Sequence, residues 1–184
     1  MNLEQLRDQL AARTRRGIGM PLTGALWWLA LAILSTQMSI TMANVLAFFA
    51  TGAVFPLGWA LTRVFGGDLM AKSELTALGM QLNFVQLAYW PVLIAVHYIR
   101  PELVPFVFAV LFGSHFLPYG WYYRSAGYLV LGIGAPLIAT LTQILWPQGS
   151  HSLLPLLLCA THLAAVARLA WENSAADGQL QTDH

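Results

Sequence analysis

The sequence predicts an all-α, polytopic membrane protein: a bundle of six transmembrane helices preceded by a short amphipathic cytoplasmic helix. Three observations carry that prediction. Hydrophobic residues make up 58% of the 184 and charged residues only 9%, whereas an ordinary soluble domain is roughly 25% charged. Mean hydropathy is +0.62, and several apolar runs reach roughly 20 residues, enough to cross a hydrocarbon core of about 30 Å as helices. Basic residues, finally, gather at alternate joints between those runs.

The chain divides into a surface helix (1–17), a six-span domain (18–171) and a polar tail (172–184). In "MNLEQLRDQLAARTRRG" Leu3, Leu6 and Leu10 recur at helical spacing, with Arg7, Arg13, Arg15 and Arg16 available to lipid phosphates. That pattern predicts a helix lying on the membrane surface. The segment mixes acidic, polar and basic residues and has no small-residue cleavage site after its apolar run, so it is expected to stay attached. Spans are expected at Ile18–Thr36, Ile40–Leu61, Leu75–Ile99, Pro101–Tyr122, Gly127–Trp146 and His151–Trp171. The joints "STQMS", "RVFGGDLMAKSE", "RPE", "YYRS" and "WPQGSH" carry turn and breaker residues. The closing "ENSAADGQLQTDH" has no apolar face and reads as disordered.

Six spans place both termini on one side. Arg7, Arg13, Arg15, Arg16, Arg63, Lys72, Arg124 and Arg168 then share that side, and only Arg100 falls on the other. The positive-inside rule makes the first side cytoplasmic. A net charge of +1 with no further basic face argues against nucleic acid as a partner. The expected partners are the lipid bilayer and a small solute or lipid, and the sequence leaves oligomerisation open. The single cysteine, Cys159, excludes a disulfide within the chain and reads as a structural thiol.

Most of the seven tryptophans lie near expected helix ends, the usual interfacial anchors. Pro56, Pro91, Pro105, Pro118, Pro136 and Pro155 fall inside spans, where freed carbonyls need neighbours or water to satisfy them. "PLGWALTR" (Pro56 to Arg63) and "PYGWYYR" (Pro118 to Arg124) share Pro-x-Gly-Trp followed by arginine. The echo reads either as a duplicated hairpin or as convergent helix-end chemistry. "FPLGW" at Phe55–Trp59, "HFLPYGWYYRS" at His115–Ser125 and the polar N-terminal helix resemble a family of small bacterial multi-pass membrane proteins known only as a domain of unknown function. The resemblance implies an integral membrane protein and brings no assigned activity.

Polar side chains inside the membrane are candidate functional residues. By helical rise, Asn83 and Gln86 lie about 12 to 17 Å from the cytoplasmic end of the third span, and His115 lies about 10 Å from that of the fourth. Asn83, Gln86, His115 and Tyr119, with Gln81 nearby, form the expected ligand-binding cluster of a cavity in the cytoplasmic half. His115 brings a group able to change charge near neutral pH. The alternative is a membrane scaffold or assembly partner in which these residues are interhelical glue, each bond contributing roughly 0.6 to 2 kcal/mol. A third reading pairs Ser114 with His162 as an intramembrane serine hydrolase, similar to rhomboid proteases. Against it, the chain lacks the Gly-x-Ser-Gly turn and re-entrant loop of that family, and a nucleophile needs a base and oxyanion donors. No catalytic residue, metal site or cofactor is assigned: His97, His115, His151 and His162 have no two members four apart and no carboxylate at depth.

Overall fold

The computed structural model describes residues 1–182, with side chains to 178, and its regular structure is helical throughout that range. Helix α1 (Leu3–Thr14) starts in a capping box. The Asn2 side chain accepts from the Gln5 amide at 2.9 Å, and the Gln5 side chain accepts from the Asn2 amide at 3.0 Å. The helix stops where Arg15, Arg16 and Gly17 turn left-handed, with φ of 50°, 50° and 60°. Two of these three are not glycine, so the joint is strained and needs its surroundings to hold it.

Next come α2 (Gly19–Gln37), α3 (Ile40–Thr51) and α4 (Val54–Val64). The expected third span is built of α5 (Thr76–Phe84), a 3₁₀ turn (Val85–Tyr89) and α6 (Trp90–Ile99). The fourth consists of α7 (Val104–Ser114) and α8 (Leu117–Tyr122), followed by α9 (Ala126–Leu145) and α10 (Leu153–Thr182). Five of these helical stretches are long and apolar enough to cross a membrane, and six when α3 and α4, bent by 52° at a short break, count as one span.

Proline chemistry explains the breaks. A proline inside a helix lacks the N–H that would bond four residues back, and its ring crowds that carbonyl. Pro56 acts on Gly52, and α3 ends at Thr51. Pro91 acts on Leu87, inside the 3₁₀ turn. Pro118 acts on Ser114, the last residue of α7. Pro155 lies in the first turn of α10 and breaks nothing.

Helix α2 packs against α10, α4 and α3, while α9 packs against α7, α8 and α10. The α2–α4 crossing is close because it is glycine on glycine. Thr62 Oγ1 donates to the Gly58 carbonyl at 2.8 Å and accepts from the Gly19 amide at 3.1 Å. A Cβ on Gly19 would overlap the Gly58 carbonyl and the Thr62 amide. The α5–α6 stretch is the most peripheral candidate span: 6% of its most apolar part is buried inside the protein, against 33% to 56% for the other single-stretch spans.

One expectation is corrected and two gain detail. The tail from residue 172 is not structureless, since α10 continues to Thr182; residues 183 and 184 lie outside the described range. The cause is contact with the strained joint. Asn173 donates to the Arg15 carbonyl at 3.0 Å and accepts from Arg16 at 2.7 Å, and Asp177 pairs with Arg15 at 2.7 Å. Glu172, which is buried, accepts from Arg168 and from the Ala126 amide at the start of α9, both at 3.0 Å. Secondly, the inner face of α1 rests on protein. Leu10 and Ala11 are buried beside Tyr122, Tyr123 and Leu169, and Asp8 pairs with Arg124 at 2.9 Å. Thirdly, Trp27 and Trp28 are core residues, Trp27 stacked on Phe108 and Trp28 edge-on to it, whereas Trp121, Trp146 and Trp171 are exposed.

Gly19→Ala should therefore lower stability by about 1 to 3 kcal/mol, the usual cost of overpacking a tight contact. Gly134→Ala, whose Cβ would meet only the Thr161 methyl at 3.5 Å, should change it little. Equilibrium unfolding of both variants in mixed micelles compares them directly.

Candidate functional site

Two of the proline breaks place the site residues. Gln86 sits in the 3₁₀ turn before Pro91, and His115 sits between α7 and α8, before Pro118. At such points the regular ladder is interrupted, and side chains leave the helix at angles a continuous span does not offer.

The side chains form a directed chain of hydrogen bonds. His115 Nδ1 lies 2.9 Å from the Phe112 carbonyl, which can only accept, so Nδ1 carries the proton and Nε2 of the neutral ring offers a lone pair. The Gln86 amide donates to that Nε2 at 2.8 Å and to Asn83 Oδ1 at 3.1 Å. Gln86 thus uses both of its N–H groups, leaving its Oε1 and the Asn83 amide N–H₂ for other partners. One turn further along, Tyr119 donates to the Gly79 carbonyl at 3.2 Å and Tyr122 to the Leu75 carbonyl at 3.1 Å. These two bonds tie α8 to α5, the end of the peripheral span.

Asn83, Gln86, His115 and Tyr119 share the wall of one internal cavity of about 160 Å³. All three breaks reach it, through Thr51 and Val54, through Gln86, and through His115. Its remaining wall is largely aromatic. Trp27 stacks on Phe108 at 4.5 Å and Phe108 on Phe112 at 4.2 Å, while Tyr119, Tyr123 and Tyr128 form a second stack at 5.5 to 6.0 Å. No Asp, Glu, Lys or Arg lines it.

The four residues singled out from sequence are thus brought together. Gln81 is not: it is exposed and off the cavity. Ser114 and His162 do not form a catalytic pair. The Ser114 hydroxyl donates back to the Leu111 carbonyl of its own helix at 3.1 Å, off the cavity wall, whereas His162 lies on that wall beside Gly24. The cavity does include residues that sequence reasoning placed elsewhere. Trp27, Trp28 and His162 all face it, and the signal for His162 was its position as an unpaired imidazole at mid-span. Among the described residues no three His, Cys, Asp or Glu side chains stand close enough to hold a metal ion. The far end of the bundle holds a separate polar group, in which Arg100 pairs with Glu102 and burial pushes the nearby His151 imidazole down from its ordinary value.

Fold and site define a helical bundle of several apolar, membrane-crossing lengths around an uncharged cavity. Residues 3–172 match the model of the Family of unknown function (DUF7010), and the chain belongs to that family. No curated protein and no solved structure matches it.

A double-mutant cycle on Gln86→Ala and His115→Ala should give a coupling of about 0.5 to 1.5 kcal/mol in unfolding free energy, in the range of interhelical hydrogen bonds. A coupling near zero would mean that the 2.8 Å contact contributes nothing.

Proposed function

We propose that this is a bacterial inner-membrane protein crossing six times, with both termini in the cytoplasm, and that it binds a small solute or lipid in its cavity and passes it across. The observation that carries this reading is the convergence of three helix breaks and one neutral hydrogen-bond chain on a single cavity. Discontinuous helices inside a membrane are tolerated where they line a cavity, and transporters bind their substrates at such points. Asn83, Gln86, His115 and Tyr119 are the proposed ligand-binding residues. The peripheral α5–α6 stretch is the wall best able to move, because little protein holds it and a 3₁₀ turn interrupts it beside Gln86.

Charge supports the orientation. Arg13 donates to the Lys72 carbonyl, Arg7 to that of Trp121, Arg124 pairs with Asp8, and Arg15 and Arg16 meet the end of α10. The basic residues of three chain segments therefore gather at one end of the bundle, the end that the positive-inside rule assigns to the cytoplasm.

A scaffold reading has one observation of its own: both Gln86 N–H groups are already used within the protein. Under that reading the cluster only fastens α5 to α7. Single cysteines at Asn83, Gln86, His115 and His162, in a Cys159→Ser background, separate the two. With a membrane-impermeant thiol reagent, the first three should label from the cytoplasmic side in folded protein. Protection of all four from both sides sinks the cavity reading and leaves the scaffold.

A further inference from the structure

Besides Gln86 Oε1 and the Asn83 amide, the cavity wall holds a further polar atom that the hydrogen-bond chain does not use. His162 is buried on α10, and its Nδ1 lies 2.8 Å from the Leu158 carbonyl of its own helix. That carbonyl accepts, so Nδ1 is the protonated nitrogen and Nε2 of the neutral ring carries a lone pair. The hydrogen bond His162 makes among the described residues is through Nδ1, and the ring lies on the cavity wall. It can reach the cavity because α2 has a glycine opposite: a Cβ at Gly24 would stand 2.6 Å from His162 Cδ2 and 2.9 Å from Nε2. A buried acceptor without a donor is unfavourable, and a ligand that supplies one recovers that cost.

The walls restrict the ligand further. They carry no formal charge, so an ion would leave water without any counter-charge to meet it. Phe116 separates the two histidines, its ring 4.4 Å from His115 and 5.9 Å from His162, so His162 is a second polar pole distinct from the Gln86 chain. Trp27, Trp28 and Phe108, packed on one another, add apolar wall to the same cavity.

Building on the cavity reading above, we propose that the ligand is an uncharged, predominantly apolar or aromatic molecule bearing a hydroxyl or N–H group, and that this group donates to His162 Nε2. Such a molecule partitions into lipid, so the bilayer itself can supply it.

The test uses three probes of one ring system: 1-naphthol, naphthalene and the 1-naphthoate anion. Each is equilibrated by dialysis with the purified full-length protein in detergent, with empty micelles as blank. The expected result is that 1-naphthol binds about tenfold more tightly than naphthalene, the worth of one well-made hydrogen bond in a low-dielectric site, and that naphthoate binds weakest. His162→Phe keeps the ring against Phe116 and should bring the two uncharged probes level by weakening 1-naphthol alone. Equal affinity for 1-naphthol and naphthalene in the wild type, or preference for naphthoate, overturns this inference while leaving a ligand cavity in place. Binding of none of the three to folded protein overturns the inference together with the cavity reading. The wild-type comparison decides the matter by itself if the variant does not fold.

Discussion

Every buried backbone carbonyl freed by a helix end or break in an apolar interior needs a donor, and this requirement organises the whole molecule. Side chains reaching from neighbouring helices supply part of these donors and also reinforce carbonyls that a backbone amide already reaches, such as those of Leu75 and Pro101. Tyr128 donates to the Arg16 carbonyl at 2.7 Å, where the chain turns left-handed, and Asn44 donates to the Pro101 carbonyl at 2.9 Å, in the turn before α7. Trp27 reaches the Ala47 carbonyl at 3.2 Å, and Tyr119 and Tyr122 reach carbonyls of α5 and its approach. Each such bond joins two segments far apart in sequence. Local irregularity and tertiary cohesion are therefore one phenomenon in this bundle.

The cavity follows from the same rule. Prolines interrupt three helices at points that face one another, and side chains cannot fill the angular gaps as they fill a regular helix interface. What lines the space is a set of rings that stack among themselves and a few neutral polar groups at the interruptions. His115 shows the logic at one residue. It is held by its own helix through Nδ1 and by the facing span through Nε2, so a single imidazole bridges the break in one element and the turn in another. The cavity is walled by α7, α9 and α10 on one side and by α5 and its 3₁₀ turn, part of the peripheral stretch, on another.

Much of this was legible in the residues. The depth of Asn83, Gln86 and His115, counted along their helices, brought them to one level, and in the structure they touch. The Pro-x-Gly-Trp echo also acquires a physical meaning. Each copy opens the short helix after a break, and each tryptophan carries an arginine 4.3 Å over its ring, Arg63 on Trp59 and Arg7 on Trp121. Distant pairing was less legible. Trp27 and Trp28 stand at the middle of the first expected span, which sets them apart from interfacial indoles, but their packing partner is Phe108, about eighty residues further on, and periodicity cannot reveal that. The tail was misread for the same reason. Glu172, Asn173 and Asp177 lack an apolar stripe, and their helix is stabilised by arginines and an amide supplied by other segments. Composition argued for disorder because it does not register such partners.

The tie between Arg16 and Asn173 spans 157 residues, which sets an order on biosynthesis. A chain emerging from the ribosome makes α1 and the left-handed joint first, yet the groups that hold the joint are made after the last span. Until Glu172 and Asn173 emerge, the left-handed joint lacks the side chains that tie it, and the first amide of α9 has no carboxylate to receive it. Closure of the bundle at this end is accordingly a late event that registers completion of the final helix. A chain cut before Glu172 would keep the contacts of α1 with Tyr122, Tyr123 and Arg124 and leave the joint at Arg15–Gly17 untied, so docking of the opening helix and locking of its joint are separable steps.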